Sequence, residues 1–89
     1  MSKQANIAGR YPKGDSRRVL ALGAALDRLG DASLQELVEL TGFNKGSLPG
    51  YINQLQAQFG MTIEKTGSRY RIANWGRILQ AAGVRSLID

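Results

Sequence analysis

The chain has 89 residues, enough for one small domain. It contains neither cysteine nor histidine, which excludes a disulfide framework, thiolate and imidazole metal ligands, and the Ser-His or Cys-His pairs of nucleophilic enzymes. Twelve basic residues against seven acidic ones give a net charge of +5, so a polyanion is the first partner to consider.

Catalysis and membrane association are both unsupported by the sequence. The acidic residues are scattered and no glycine-rich phosphate loop follows a strand, so we expect no enzyme activity, no cofactor and no metal site. No apolar run approaches the length of a membrane span, and the N-terminus lacks a signal-peptide core. We therefore expect a cytoplasmic protein without a membrane partner.

The first predicted element is a flexible basic arm over residues 1–14, which are polar and rich in turn-forming residues. Such arms follow DNA minor grooves in other proteins, and the basic residues here are Lys3, Arg10 and Lys13. Residues 27–39 are acidic, whereas the rest of the chain on either side is basic. This distribution predicts an acidic side, carrying Asp27, Asp31, Glu36 and Glu39, separate from a basic side.

Two helices are predicted after the arm. Asp15 or Ser16 caps the first helix, and Gly30 ends it. Its apolar residues recur at helical spacing and share one face: Val19, Leu22, Leu26 and Leu29. Ser33 and Glu36 have the spacing of a capping box that begins the second helix, and Gly42 ends that helix.

A third helix shows the clearest periodicity, with Leu48, Tyr51, Ile52, Leu55 and Phe59 on one face. It begins either at Asn44 or near Ser47, because Pro49 is tolerated only in the first turn of a helix. Gly60 ends it. Apolar and polar residues then alternate on both sides of Gly67, which predicts a β-hairpin with Met61, Ile63, Tyr70 and Ile72 on its inner face. Asn74 is predicted to cap a last helix that Gly83 ends, followed by an apolar tail.

The order helix, helix, tight turn, helix, hairpin is typical of DNA-binding proteins. The segments SLQELVELTGFNKGSL (residues 33–48) and KTGSRYRI (residues 65–72) resemble a winged helix-turn-helix domain. Within that class they are most similar to the N-terminal domain of IclR-type bacterial transcription regulators. The resemblance covers Val19 to Ile72 and implies a mainly α fold with a small β-hairpin wing (α+β). The winged domain is then expected over residues 15–76, and a C-terminal helix and tail over 77–89.

The resemblance implies sequence-specific binding of double-stranded DNA for transcriptional or replication control in a bacterium or phage. The third helix would enter the major groove with Asn44, Lys45, Ser47, Asn53 and Gln54. The wing would contact the backbone with Lys65, Thr66, Ser68, Arg69 and Arg71, and further phosphates would be bound by Arg17, Arg18 and Ser33. Neutralising about five phosphates predicts a log–log salt slope near −4.5.

A homodimer on a repeated DNA site is also expected, because one module of this size offers only one half-site of contact. Its candidate surface comprises the first helix and the tail with Ile78, Leu79, Val84, Leu87 and Ile88. The effector domain of the IclR family has no counterpart, so no small-molecule effector is implied. The alternative function is a winged-helix protein adaptor, which docks a protein through the third helix or the tail, because residues 46–63 carry no charge.

Overall fold

The computed structural model describes residues 7–88. Within them the chain forms an α+β fold of five helices and a small antiparallel sheet. The helices are α1 (Ile7–Arg10), α2 (Ser16–Leu29), α3 (Leu34–Thr41), α4 (Leu48–Phe59) and α5 (Ala81–Arg85), with 3₁₀ turns at Lys45–Ser47 and Ser86–Ile88. The strands are β1 (Asp31–Ser33), β2 (Thr62–Thr66) and β3 (Arg69–Asn74). Among these residues no helix is both long and apolar enough to cross a membrane.

The predicted limits of α2 are confirmed. The Asp15 side chain accepts a hydrogen bond from the backbone N–H of Arg17 and caps the first turn. Gly30, with a φ of 80°, ends the helix. Val19, Leu22 and Leu26 are buried as predicted, but Leu29, the last residue of the helix, is exposed.

The start of α3 is also confirmed. Ser33 Oγ accepts from the Glu36 N–H at 3.1 Å, and Glu36 Oε1 accepts from the Ser33 N–H at 2.9 Å, which completes the capping box. Gly42 ends the helix in the left-handed region. The chain then passes through the Lys45–Ser47 turn into α4, so Pro49 falls in the first turn of α4, where its missing N–H costs no hydrogen bond.

The sheet has the strand order β1-β3-β2, and the predicted hairpin is its β2–β3 part. The third strand, β1, was not predicted. It has only three residues between the end of α2 and the cap of α3, too few to show an alternating pattern. Its pairing with β3 sets Asp31 opposite Arg71 and Ser33 opposite Arg69.

Both ends of the described chain differ from the prediction. Instead of a flexible arm, residues 7–10 form α1, with Ile7 fully buried. Arg10 Nη1 and the Tyr11 hydroxyl both donate to the Leu87 carbonyl, at 3.2 and 2.8 Å, so this segment is tied to the C-terminal turn. Lys3 lies outside the described residues.

The predicted helix from Asn74 does not form. Asn74 instead ends β3, and its Oδ1 accepts from the Gly76 N–H at 2.6 Å across a turn. Gly76 has a φ of 76°, which is incompatible with a continuing right-handed helix. The helix starts later, as α5, and contains Gly83 rather than ending there.

The core lies between α2, α3, α4 and the inner face of the sheet. Its largest fully buried side chains include Leu22, Leu26, Leu37, Leu48, Leu55 and Phe43. Met61 and Ile63 of the hairpin are buried as predicted, and Tyr70 and Ile72 are half-buried. This packing fixes the hairpin and the start of α4 relative to α3, and these three elements surround the candidate site.

Candidate nucleic-acid interface

A surface cleft of about 210 Å³ lies between the start of α3, the turn before α4 and the hairpin tip. Capping by Ser33 positions the first of these elements, and Asn44, whose Oδ1 accepts from the Gly46 N–H, shapes the second. The hairpin places Lys65 beside its cross-strand partner Tyr70. The residues that line the cleft are Ser33, Leu34, Gln35, Lys45, Lys65, Ser68 and Tyr70.

Two lysines supply the positive charge of this cleft. Lys45 is exposed, and Lys65 Nζ lies 5.6 Å from the centroid of the Tyr70 ring, a cation–π contact that leaves the ammonium at the surface. Neither lysine has a carboxylate partner among residues 7–88. Their charge is therefore available to an anion outside the protein.

The hairpin arginines lie on the opposite side of the hairpin and are already paired. Arg69 Nε donates to Asp31 Oδ1 at 2.8 Å, and Arg69 Nη2 lies 3.0 Å from Glu36 Oε1. Arg71 Nη2 contacts Glu64 Oε1 at 2.5 Å. The hydrogen bond that Arg69 donates to Asp31 raises the pKa of Arg69. The hydrogen bond from the Ser33 N–H, followed by the charge of Arg69, lowers the pKa of Glu36.

The predicted separation of an acidic side from a basic side is therefore wrong. Asp31 and Glu36 bind Arg69, and Asp27 binds Arg85 at 2.5 Å. Asp31 lies on the basic side because of strand β1, which the sequence did not predict. The pairing of β1 with β3 brings the Asp31 carboxylate next to the hairpin arginines.

The two arginines at the start of α2 also have internal partners. Arg17 Nη2 lies 2.6 Å from Asp15 Oδ2. Arg18 Nη1 donates to the carbonyls of Ala8 and Tyr11, at 3.0 and 2.8 Å, and its guanidinium lies 4.8 Å from the centroid of the Phe43 ring. Arg18 thus holds α1 and the residue that follows it against the body of the domain, a structural role that the sequence does not predict.

The outward face of α4 is polar but uncharged. Asn53 and Gln54 are exposed there, whereas Gln56 Oε1 accepts from the Ile63 N–H and joins α4 to the hairpin. Ser47 is half-buried and makes no side-chain cap hydrogen bond. Thr66 belongs to a smaller cleft on the arginine side of the hairpin.

The structure thus brings together only part of the predicted set. Ser33, Lys45, Lys65 and Ser68 share the cleft, and Arg17, Arg18, Arg69 and Arg71 have internal partners. Gln35, Leu34 and Tyr70 line the cleft without having been predicted. Tyr70 was identifiable in principle, because alternation along the hairpin already put it on the same face as Lys65.

Within the described part of the chain, no three acidic side chains come together to form a metal site. Comparisons with protein-family models, curated proteins and solved structures found no match.

Proposed function

We propose that this protein is a winged helix-turn-helix protein that binds duplex DNA to control transcription or replication. In this proposal α3 and α4 are the two helices of the helix-turn-helix, joined at Gly42, and the β2–β3 hairpin is the wing. The start of α4 enters the major groove, as recognition helices do, while the cleft beside it receives a backbone phosphate.

The observation that carries the proposal is the pair of unpaired lysines around the cleft. Lys45 comes from the turn before α4 and Lys65 from the hairpin, so two separate elements direct positive charge at one place. Ser33 and Ser68 add small hydroxyl groups of the kind that bind phosphates. Charge, hydroxyl donors and the adjoining uncharged helix face together match a DNA backbone beside a groove.

The internal ion pairs change the expected strength of binding. If Arg17, Arg18, Arg69 and Arg71 keep their internal partners, the two cleft lysines are the basic residues of the predicted contact set that can still neutralise phosphates. Two phosphates predict a salt slope of about −1.8 instead of −4.5. Affinity would then fall about twelvefold between roughly 50 and 200 mM salt.

Fluorescence anisotropy of a labelled random-sequence duplex tests the proposal. Lys45→Ala and Lys65→Ala should each reduce the steepness of the salt slope by about 0.9 and weaken all sequences equally. Arg77→Ala is the matched control, because it removes one exposed positive charge outside the cleft. Absence of binding at low salt, or equal effects of all three variants, would contradict the proposal.

A pair of molecules on a repeated site is part of the proposal, since a single module buries only roughly 600–1,000 Å² on DNA. The predicted dimer surface needs correction, because Val84 and Ile88 are buried. Ile78 is 63% exposed and remains available. Sedimentation of the protein with a duplex would give the stoichiometry directly.

The adaptor function remains the second candidate, favoured by the uncharged outward face of α4 and by the internal pairing of the arginines. It makes a different prediction in the same titration. An adaptor would bind the duplex poorly at every salt concentration, and Lys45→Ala would not change its behaviour.

A further inference from the structure

We infer that α4 recognises adenine-containing base pairs, with Asn53 and Gln54 as the residues that read them. The inference rests on the proposed function and extends it, because it names the class of DNA sequence that the domain selects. It is based on the residues that make up the outward face of α4 and on the absence of hydrogen-bond partners for their side chains among residues 7–88.

Helical geometry defines that face. Gly50, Asn53, Gln54 and Ala57 are all exposed and project to the side opposite the buried residues of α4, which are Leu48, Ile52 and Leu55. Two amide side chains thus stand between two small residues. A helix with this face offers base edges only amide hydrogen-bonding groups and short apolar contacts.

The two amides are free to make those contacts. Neither the Asn53 nor the Gln54 side chain has a hydrogen-bond partner among residues 7–88, whereas the Gln56 side chain accepts a hydrogen bond from the Ile63 N–H. Asn53 and Gln54 are the sixth and seventh of the 12 residues of α4, so both lie at the middle of the helix, on the face turned away from the core.

The chemistry of the face favours adenine over guanine. An amide carries one acceptor and one donor side by side, which match N6 and N7 of adenine, whereas guanine is most often read by Arg or Lys. No basic residue occurs between Gly46 and Ile63, and the nearest, Lys45, lines the phosphate cleft. The methyl of Ala57 suits apolar contact with the thymine methyl of such pairs.

The small residues help the amides reach the groove floor. Apart from its chain neighbours and the backbone of α4, no atom of the described residues lies within 4 Å of the position that a Cβ would take on Gly50, so this point of the outward face is uncovered. Glycine at such a site lets another backbone or a ligand approach closely. The short side chain of Asn53 can therefore contact a base without a bulkier neighbour holding the helix away.

Selection from a random duplex library, followed by substitution of single bases, tests the inference. The enriched site should contain adenines whose replacement by 7-deazaadenine, which lacks N7, weakens binding about fivefold to 150-fold, the equivalent of 1–3 kcal/mol per bidentate contact. Asn53→Ala or Gln54→Ala should abolish that discrimination at one position each. Gln58→Ala, an exposed amide in the last turn of α4, is the control and should retain it.

The possible outcomes separate this inference from the proposed function. A selected site read through guanines, or one insensitive to 7-deazaadenine, would overturn the inference while the DNA-binding function stands. Failure to bind any duplex would overturn both. Circular dichroism of each variant checks that the exposed substitutions leave the fold unchanged.

Discussion

Neutralising Asp31 and Glu36 should convert Arg69 from an internally paired cation into a DNA phosphate contact. The guanidinium bonds Asp31 Oδ1 at 2.8 Å and lies 3.0 Å from Glu36 Oε1, and all three side chains are about half exposed. Exposed ion pairs contribute little to stability, and glutamine serves a capping box as well as glutamate does. The variant Asp31→Asn with Glu36→Gln should therefore fold normally.

The magnitude follows from the number of phosphates contacted, since each adds about 0.9 to the steepness of the salt slope. In the wild type, Arg69→Ala should leave the slope near −1.8. In the background lacking both carboxylates the slope should approach about −2.7, and Arg69→Ala should return it to about −1.8. Between roughly 50 and 200 mM salt, the extra contact makes the loss of affinity about 3.5-fold larger.

Anisotropy titrations of one labelled duplex at several salt concentrations give these slopes. Glu39→Gln controls for half of the change in net charge, because it neutralises one exposed carboxylate on α3 that contacts Gln35 and no arginine among residues 7–88. The reasoning is refuted if Glu39→Gln steepens the slope by half as much as the double substitution or more, because the effect would then follow net charge alone. It is equally refuted if Arg69→Ala weakens the wild type by a full phosphate contact.

Two further predictions concern stability, and denaturation in urea measures both. Gly76→Ala should destabilise the domain by about 3 kcal/mol or more, because a Cβ there would lie 2.5 Å from the Gly60 carbonyl oxygen in addition to straining the backbone. Gly67 has a φ of 62° and open space around it, so Gly67→Ala should lower the free energy of unfolding by only about 1–2 kcal/mol. Equal losses of stability in the two variants would contradict a steric clash between residue 76 and the Gly60 carbonyl. Arg85 lowers the pKa of Asp27 below its ordinary value of 3.8, so the stability from this pair is present above that pH and is lost as the pH falls further. Asp27→Asn should therefore make the urea midpoint less sensitive to acid. If the midpoint of the variant depends on pH as that of the wild type does, the Asp27–Arg85 pair is not the source of the acid sensitivity.

Local signals account for what the sequence predicted correctly. The cap of α2 at Asp15, the capping box of α3 and the end of α4 at Gly60 depend on residues within one or two helical turns of one another. The hairpin was equally accessible, because alternation over a few residues defines it. The same local signals put Lys45 beside the third helix and Lys65 in the hairpin, but they did not predict that the two lysines line one cleft.

The features that the sequence did not predict depend on contacts between distant parts of the chain. Strand β1 forms because it pairs with β3, which lies about forty positions later in the sequence. No pattern within Asp31–Ser33 predicts that pairing. The pairing of Asp31 with Arg69 was missed with it. Residues 7–10 look like part of an arm in the sequence, because nothing near them in the chain indicates that Ile7 is buried. Residues of other elements form the buried environment of Ile7.

The bonds from Arg10 and Tyr11 to the Leu87 carbonyl have a topological consequence. Tyr11, near the start of the described range, and Leu87, near its end, therefore lie next to each other, and the backbone between them forms an almost closed loop. A short linker could join these neighbouring ends and new ends could be opened in an exposed turn such as that at Gly67, giving a circular permutant with the same core. By the same geometry, the unit can be inserted into a surface loop of another protein without stretching either chain.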